Sequence, residues 1–191
     1  DPMYMRDANG NIMYDQTSRM IAYDYGSGKV APFRAFMGGG NPISDARLNT
    51  ANSEGNTFNG TGFAEIQLPY GFKFTSINNV YLNESRSTGT TNPYFGQYAA
   101  SNGMVNKEHD RSWSYNYQQR INWHQVYGKH DVEVMLGHEY YRAYGYALYA
   151  GKHNQFSVDN KELAGAVVLD NGSSSMSEYN TESWLSRAMY N

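Results

Sequence analysis

Cysteine is absent from the 191-residue chain, proline is scarce at 5, and there is no excess of positive charge, with 15 Lys and Arg against 18 Asp and Glu. Without a thiol there is no disulfide scaffold, no thiolate metal site and no cysteine nucleophile, and the chain fits a compartment where free thiols are avoided. A formal charge of −3 without a basic run argues against a protein that grips nucleic acid by its phosphates. Long apolar runs are missing too. Even Ala164 to Leu169, an apolar run that contains Gly165, falls far short of the roughly 18 residues that a membrane-spanning helix needs. No charged-then-apolar leader follows Asp1, and Met189-Tyr190-Asn191 stop inside a patterned stretch, so the sequence reads as a piece of a longer chain.

Tyrosine is abundant, with 18 copies in a chain that is 15% aromatic and 40% hydrophobic. A mean hydropathy of −0.72 suits a soluble protein. A transmembrane β-barrel, however, shows lipid only every second residue and fills its lumen with polar groups, so mean hydropathy does not decide.

Residues 1–56 are rich in Gly, Asn, Asp and Met, with little periodicity, and read as a loop region. Inside it, Tyr4-Met5-Arg6 and Ile12-Met13-Tyr14 flank Asp7-Ala8-Asn9-Gly10-Asn11, whose Asn-Gly step predicts a tight hairpin turn. The same acidic start mimics a calcium loop. That motif wants Gly at its sixth position and Glu at its twelfth, where this chain has Ile12 and Ser18, so a plain turn is the reading. Asn41-Pro42, with Ser44 and Asp45 as candidate caps, predicts a short helix over 42–51.

From Thr57 the period becomes two. Phe58, Gly60, Gly62, Ala64, Ile66 and Leu68 alternate with Asn59, Thr61, Phe63, Glu65 and Gln67. Beyond Pro69-Tyr70-Gly71, a second strand to about Arg86 sets Phe72, Phe74, Val80 and Leu82 against Lys73, Thr75, Asn79 and Asn83, with Ile77 and Tyr81 on the polar side. The clearest pattern spans 111–124: Trp113, Tyr115, Tyr117, Ile121 and Trp123 face one way, and Asn116, Gln118 and Arg120 the other. A fourth strand over 131–149 sets Val132, Val134, Leu136, Tyr140, Tyr144 and Leu148 against Glu133, Gly137, Glu139 and Gly145. It is too long for a membrane span of about ten residues, so its far half rises above the bilayer. A fifth strand begins near Tyr179.

The predicted connections alternate in length: 69–71 and 125–130 are tight, whereas 87–108 and 150–178 are long. Long structureless loops are unusual in a compact soluble domain. In an outer-membrane barrel short turns face the periplasm, long loops face outward, and aromatic girdles flank the apolar band. The pattern therefore favours an all-β, antiparallel transmembrane barrel, with a soluble sandwich as the alternative.

The blocks NPYFGQYAASNG (92–103), SYNYQQRINW (114–123), GKH (128–130), LGHEYY (136–141), DNKELAGA (159–166) and YNTESWLSR (179–187) follow one another in an order and spacing that resemble the barrel of SusC/RagA-type TonB-dependent transporters of the Bacteroidetes outer membrane. DANGN (7–11), GNTFNGTGFAEI (55–66) and FKFT (72–75) are similar to that family too, so the resemblance covers nearly the whole chain. It implies a segment of a 22-stranded barrel around an N-terminal plug, energised by the TonB complex. It also implies a SusD-like surface lipoprotein as partner and import of glycans or peptides. On this reading 1–56 is an extracellular loop region and 57–191 supplies about five strands with two long outer loops, while the plug and the remaining strands lie outside the chain.

Catalytic motifs fail one by one. His138-Glu139-Tyr140-Tyr141-Arg142 starts like HExxH, but Arg142 replaces the second His and the segment alternates as a strand. Gly26-Ser27-Gly28-Lys29 lacks the earlier Gly of a phosphate loop, with Tyr23 in its place, and has Val30 where Ser or Thr belongs. Gly172-Ser173-Ser174-Ser175-Met176 lacks the second Gly of a nucleophile elbow. The reading is therefore no enzyme, no catalytic residue, no metal site and no cofactor. If the apolar faces meet lipid, Glu65, Lys73, Arg120, Glu133, Glu139 and Arg187 line the lumen, where they bond one another, a plug or solute. In the outer loops Tyr94, Phe95, Tyr98, His153, Asn154 and Phe156 offer rings and amides that suit substrate or loop packing equally. Two other functions are left open by the residues: a soluble extracellular β-domain that binds glycans, and a non-transporting surface adhesin or structural barrel.

Overall fold

The computed structural model describes residues 3–26, 39–96 and 99–191. A short helix α1 (Pro42–Leu48) precedes five strands: β1 (Thr50–Gln67), β2 (Phe72–Thr91), β3 (Met104–Tyr127), β4 (His130–Gln155) and β5 (Ala166–Tyr190). They pair in chain order into one antiparallel sheet with β1 and β5 at its edges. The chain divides into two compact units. Unit 1 comprises Asp1–Glu54, Arg86–Glu108 and Leu148–Ser173, and unit 2 comprises Gly55–Ser85, His109–Ala147 and Ser174–Asn191.

The strands outrun the lengths expected from alternation. β1 starts at Thr50 instead of Thr57, β2 continues to Thr91, and β5 starts at Ala166 instead of near Tyr179. The two connections expected to be long loops are correspondingly short, at 92–103 and 156–165, and carry single 3₁₀ turns at Ala99–Ser101 and Leu163–Gly165. His153 and Asn154 therefore belong to β4 and not to a loop. The reason is that a backbone ladder needs no apolar side chain, and where both faces are polar the period-two signal vanishes. Thus Ser53 of β1 and Ser87 of β2 meet by a hydroxyl hydrogen bond of 3.1 Å in a stretch without apolar alternation.

Both turns expected to be tight are tight. Between β1 and β2 the Leu68 N–H donates to the Phe72 carbonyl at 2.8 Å, with Tyr70 at φ 64° and Gly71 at φ 82°. The indole of Trp123 donates to the Tyr70 carbonyl at 3.1 Å, which holds the turn against β3. A Cβ at position 71 would lie 2.2 Å from the His124 carbonyl oxygen, so only glycine fits there. Between β3 and β4 Gly128 takes φ 62°.

Unit 1 holds a small core. Among the described residues the buried apolar side chains are Ala22, Tyr23, Val105 and Ala166, all in this unit. Isolated bridges Tyr4↔Tyr23, Arg6↔Ile12 and Tyr14↔Ile21 build a small meander. Tyr23 meets the ring of Phe95 edge-on at 5.4 Å, and Tyr25 donates its hydroxyl to Ser44 at 2.6 Å. Burial raises the Tyr25 phenol above its ordinary range. Fully buried Asn41 caps α1 by accepting from the Ser44 N–H at 3.0 Å, with Pro42 inside the first turn. Its amide donates to the Asp24 and Met3 carbonyls at 2.7 and 2.8 Å. The helix is shorter than 42–51, and its cap is Asn41, not Ser44 or Asp45.

At the expected hairpin Arg6 bridges Ile12 and Gly10 takes φ 85°. The Asp7 carboxylate accepts from the Asn9 and Asn11 N–H groups at 2.9 and 2.8 Å and from the Asn11 amide at 3.1 Å. Its oxygens are committed to closing a turn, which is the reading preferred above to a calcium loop. These bonds, the Asn11 side chain first, hold the Asp7 carboxyl below its ordinary range.

Unit 2 has no core of its own. Phe58, Ile66, Leu136 and Trp184 stay 59%, 51%, 48% and 68% exposed. A soluble sandwich would bury such side chains between its sheets.

Two outcomes follow. Gly71→Ala lowers the unfolding free energy of the full-length protein by more than about 1 kcal/mol, read from the denaturant midpoint in lipid vesicles, because the new methyl meets a backbone carbonyl; an unchanged midpoint contradicts this turn geometry. Asp7 is a group with a lowered folded-state pKa, so its support of the hairpin is present above an unfolded value of about 3.9 and is lost as pH falls through the lower folded value. A carbon-13 titration of the Asp7 carboxyl should show a midpoint below about 3.9, with the Asn11 amide shift following it.

Candidate functional site

Contacts within unit 2 sort its side chains onto two faces. On one, Trp113 stacks on Tyr144 with centroids 4.6 Å apart, Trp113 and Tyr115 lie 5.6 Å apart, Tyr115 and Tyr117 5.0 Å, and Tyr115 and Tyr140 5.9 Å. Phe72 meets Trp123 at 6.4 Å on the same face. These residues alternate along β3 and β4 with a second set that bonds among itself, as a pleated pair requires.

That second, polar face gathers the six predicted charged residues. Lys73 pairs with Glu65 at 3.2 Å across β1 and β2. Arg187 of β5 donates to Glu133 of β4 at 2.5 Å. Glu139 accepts from the amides of Asn116 and Gln118 at 2.9 and 3.0 Å, which ties β4 to β3. The stem of Arg120 lies beside Gly137, where a Cβ would sit 3.4 Å from its Cγ. His124 and Asp131 join the same face, 2.7 Å apart. A groove of about 420 Å³ runs between Gln67, Lys73, Asn122, His124 and Glu133 near the tight turns. Asn79 reaches across to Asn59 and Thr61 at 2.9 and 2.8 Å, and Thr57 to Asn83 at 2.8 Å. The face is thus a lattice of cross-strand hydrogen bonds among charged and amide groups, able to bind polar solute or a polar protein surface.

The other predicted residues separate. In unit 1 Phe95 packs on Tyr23 and Tyr25, and the Asn92 side chain accepts from the Tyr94 and Phe95 N–H groups at 3.0 and 2.8 Å. The Tyr94 ring meets that of Phe95 with centroids 6.4 Å apart and is itself 39% exposed. Asn154, at φ 63°, accepts from the Asn102 amide at 2.8 Å. His153 bonds Asp170 at 2.5 Å. Phe156 stays 69% exposed. Tyr98 lies outside the described residues, as do Ser27, Gly28 and Lys29 of the phosphate-loop candidate.

His138 and Glu139 leave β4 on opposite faces: His138 bonds Glu182 at 2.9 Å while Glu139 bonds Asn116 and Gln118. The zinc motif takes its two metal ligands from histidines four residues apart, and here the second of those positions is Arg142, which donates to Glu178.

Sequence reasoning missed a set of ionic contacts on the aromatic face. Besides His138 and Glu182, Arg142 donates to Glu178 at 2.7 Å while its guanidinium lies 4.5 Å from the centre of the Tyr144 ring. His109 meets Glu84 at 2.8 Å. Only strand register brings these partners together, since each pair is far apart in the chain; the signal available was an acidic residue recurring at 178 and 182 inside an otherwise neutral stretch.

No family model and no curated protein matches the sequence. Solved structures do match. The chain superimposes on the RagAB peptide transporter with a TM-score of 0.71 at 20% identity, covering 96% of this chain and 19% of that one. On the RagAB peptide importer it scores 0.70 in the open-open state over 97% of this chain, and 0.71 in the closed-closed state over 96%, both at 20% identity. It spans 19% of the length of those chains, which belong to transporter structures and not to enzymes. The chain has the fold of a strand-paired segment of those RagAB structures.

Proposed function

We propose that this chain is a wall segment of an outer-membrane, TonB-dependent transporter of the SusC/RagA type, in a barrel of about 22 strands, importing peptides or glycans together with a SusD-like surface lipoprotein. The observation that carries the reading is a sheet with two chemically opposed faces and no apolar core in unit 2, in a fold that follows a segment of the RagAB transporter over 96% of the chain. The aromatic face meets lipid, with Trp113, Tyr115, Tyr140 and Tyr144 forming part of an interfacial girdle, and the polar face lines the lumen. The ion pairs on the aromatic face fit this placement because each charge has its counter-charge beside it.

In this frame the tight turns face the periplasm, and the connections 92–103 and 156–165 reach the outer rim, where the lipoprotein covers them. The energising TonB contact and the plug belong to other parts of the protein. The wall performs no bond chemistry; it pairs, lines and admits. A soluble glycan-binding β-domain is disfavoured by the exposed Phe58, Ile66, Leu136 and Trp184, which water would not tolerate on one continuous face.

Three measurements test this. The full-length protein, extracted from outer membranes, should run as a heat-modifiable barrel that needs micelles to stay folded; a monodisperse, folded protein in buffer alone would refute the membrane reading. Tyr117→Arg on the aromatic face should cost about 2–4 kcal/mol of folding free energy in lipid, whereas Gln118→Arg on the polar face should cost less than about 1 kcal/mol; equal effects would reject the assignment of faces. Replacing 157–162 by a short Gly-Ser linker, which leaves β4 and β5 whole, should weaken lipoprotein capture and uptake while the barrel still inserts. Unchanged capture and uptake would remove this connection from the partner surface.

A further inference from the structure

Four of the nine methionines fall between positions 3 and 20, and the fold of unit 1 brings them to one side of its N-terminal meander. The three bridges of that meander are arms that radiate from a junction: Tyr4 pairs with Tyr23, Arg6 with Ile12 and Tyr14 with Ile21. At the junction the backbone closes a ring. The Met5 N–H donates to the Ala22 carbonyl, the Ala22 N–H to the Met13 carbonyl and the Met13 N–H to the Met5 carbonyl, each at 2.9 Å. Residues directly opposite each other in an antiparallel pair project to the same side, with Cβ atoms about 5 Å apart, so Met5, Met13 and Ala22 share one face. Met3 precedes Met5 by two positions and Met20 precedes Ala22 by two, which puts both on that face as well.

The opposite face is the one that packs. Tyr4 and Tyr23 lie 5.6 Å apart there, Tyr23 meets Phe95 edge-on, and the Arg47 guanidinium lies 5.9 Å from the centre of the Tyr4 ring. The four methionines are therefore not the core of unit 1, and all of them stay half-buried, while Ala22 in their midst is only 8% exposed. Hard donors on the methionine face are committed to their own turns: Asp7 accepts from the Asn9 and Asn11 N–H groups, Asp15 from the Ser18 N–H at 2.6 Å and Asp24 from the Gly26 N–H at 2.6 Å. The one histidine of unit 1, His153, is bonded to Asp170, and the chain has no thiol. What the face presents is thioether sulfur on unbranched side chains with three rotatable bonds, which can converge over the small Ala22.

Thioether sulfur is a soft donor that selects Cu(I), whereas carboxylate and carbonyl oxygen suit magnesium, calcium and manganese. We propose that this face is a cuprous-ion site, with Met5 and Met13 as the opposed pair of ligands and Met3 and Met20 completing it over Ala22. The site lies wholly within unit 1 and stands apart from the transporter reading above, which assigns these residues no role. A packing role would be met equally by leucine, which has nearly the volume of methionine and no sulfur. The site requires the sulfur.

The test uses the full-length protein in detergent, kept anaerobic with ascorbate and titrated with Cu(I) against the chromophoric chelator bicinchoninate. The wild type should hold a Cu(I) ion that Met5→Leu/Met13→Leu binds at least a hundredfold more weakly and Met3→Leu/Met20→Leu at least tenfold more weakly. Met176→Leu, at an exposed position of β5, should leave the affinity unchanged. Leucine preserves the apolar volume, so the circular dichroism of each variant should match that of the wild type. X-ray absorption at one equivalent of Cu(I) should show sulfur neighbours in the wild type and lose them in Met5→Leu/Met13→Leu. No binding that competes with bicinchoninate, an affinity that Met5→Leu/Met13→Leu leaves unchanged, or a ligand shell of nitrogen or oxygen alone overturns the site.

Discussion

Successive side chains leave a β-strand on opposite sides, so each strand of unit 2 has to satisfy two environments with one sequence, while its backbone groups are satisfied only by its neighbours. This joint demand organises the rest. It places Trp113, Tyr115 and Tyr117 against Tyr140 and Tyr144 on one face, and Asn116 and Gln118 against Glu139 on the other. A slip of one residue between β3 and β4 would exchange the two sets and break both. In lipid the penalty would be larger still, since an unpaired backbone group there finds no water.

The ladder carries the stability, and the ion pairs add register. Lys73 and Glu65 are 38% and 45% exposed, and Arg187 and Glu133 are 53% and 28% exposed, so in water each pair contributes at most about 1 kcal/mol. Their value lies in specificity: like charges meeting after a slip cost energy that the native register avoids. The amide bridges of Asn79 to Asn59 and Thr61 act in the same way without charge. A polar face built so leaves hydrogen-bonding capacity at its surface, which is the property a solute-lining wall needs.

How much could be read in advance depended on what the residues themselves displayed. Alternation over 111–124 was plain because aromatic and amide side chains differ sharply, and the faces it predicted for Trp113, Tyr115 and Tyr117 against Asn116 and Gln118 are those the contacts show. The tight turn at 69–71 was legible from Pro69 and Gly71, and the structure adds why Gly71 is required, a carbonyl of β3 pressed against it. Strand ends were illegible. In Ser173-Ser174-Ser175 or Asn52-Ser53 both faces are polar, so nothing in the pattern separates a strand from a loop, and β1, β2 and β5 were read short. The six charges on the polar face followed from parity alone, while His138 with Glu182 and Arg142 with Glu178 did not, because register decides which distant carboxylate each one meets.

By itself the sequence determined the class of structure: a period of two, turn residues at fixed points, no apolar run long enough for a helical span, and no catalytic constellation, all of which depend on neighbours within a few positions. It determined the side of each strand for the same reason. Tertiary structure decided how far the strands continue, which carboxylate answers each histidine and arginine, and that Phe95 packs on Tyr23 and Tyr25. Those outcomes rest on pairing across strands tens of residues apart, where the hydrogen-bond ladder sets position and the local sequence carries no record of its partner.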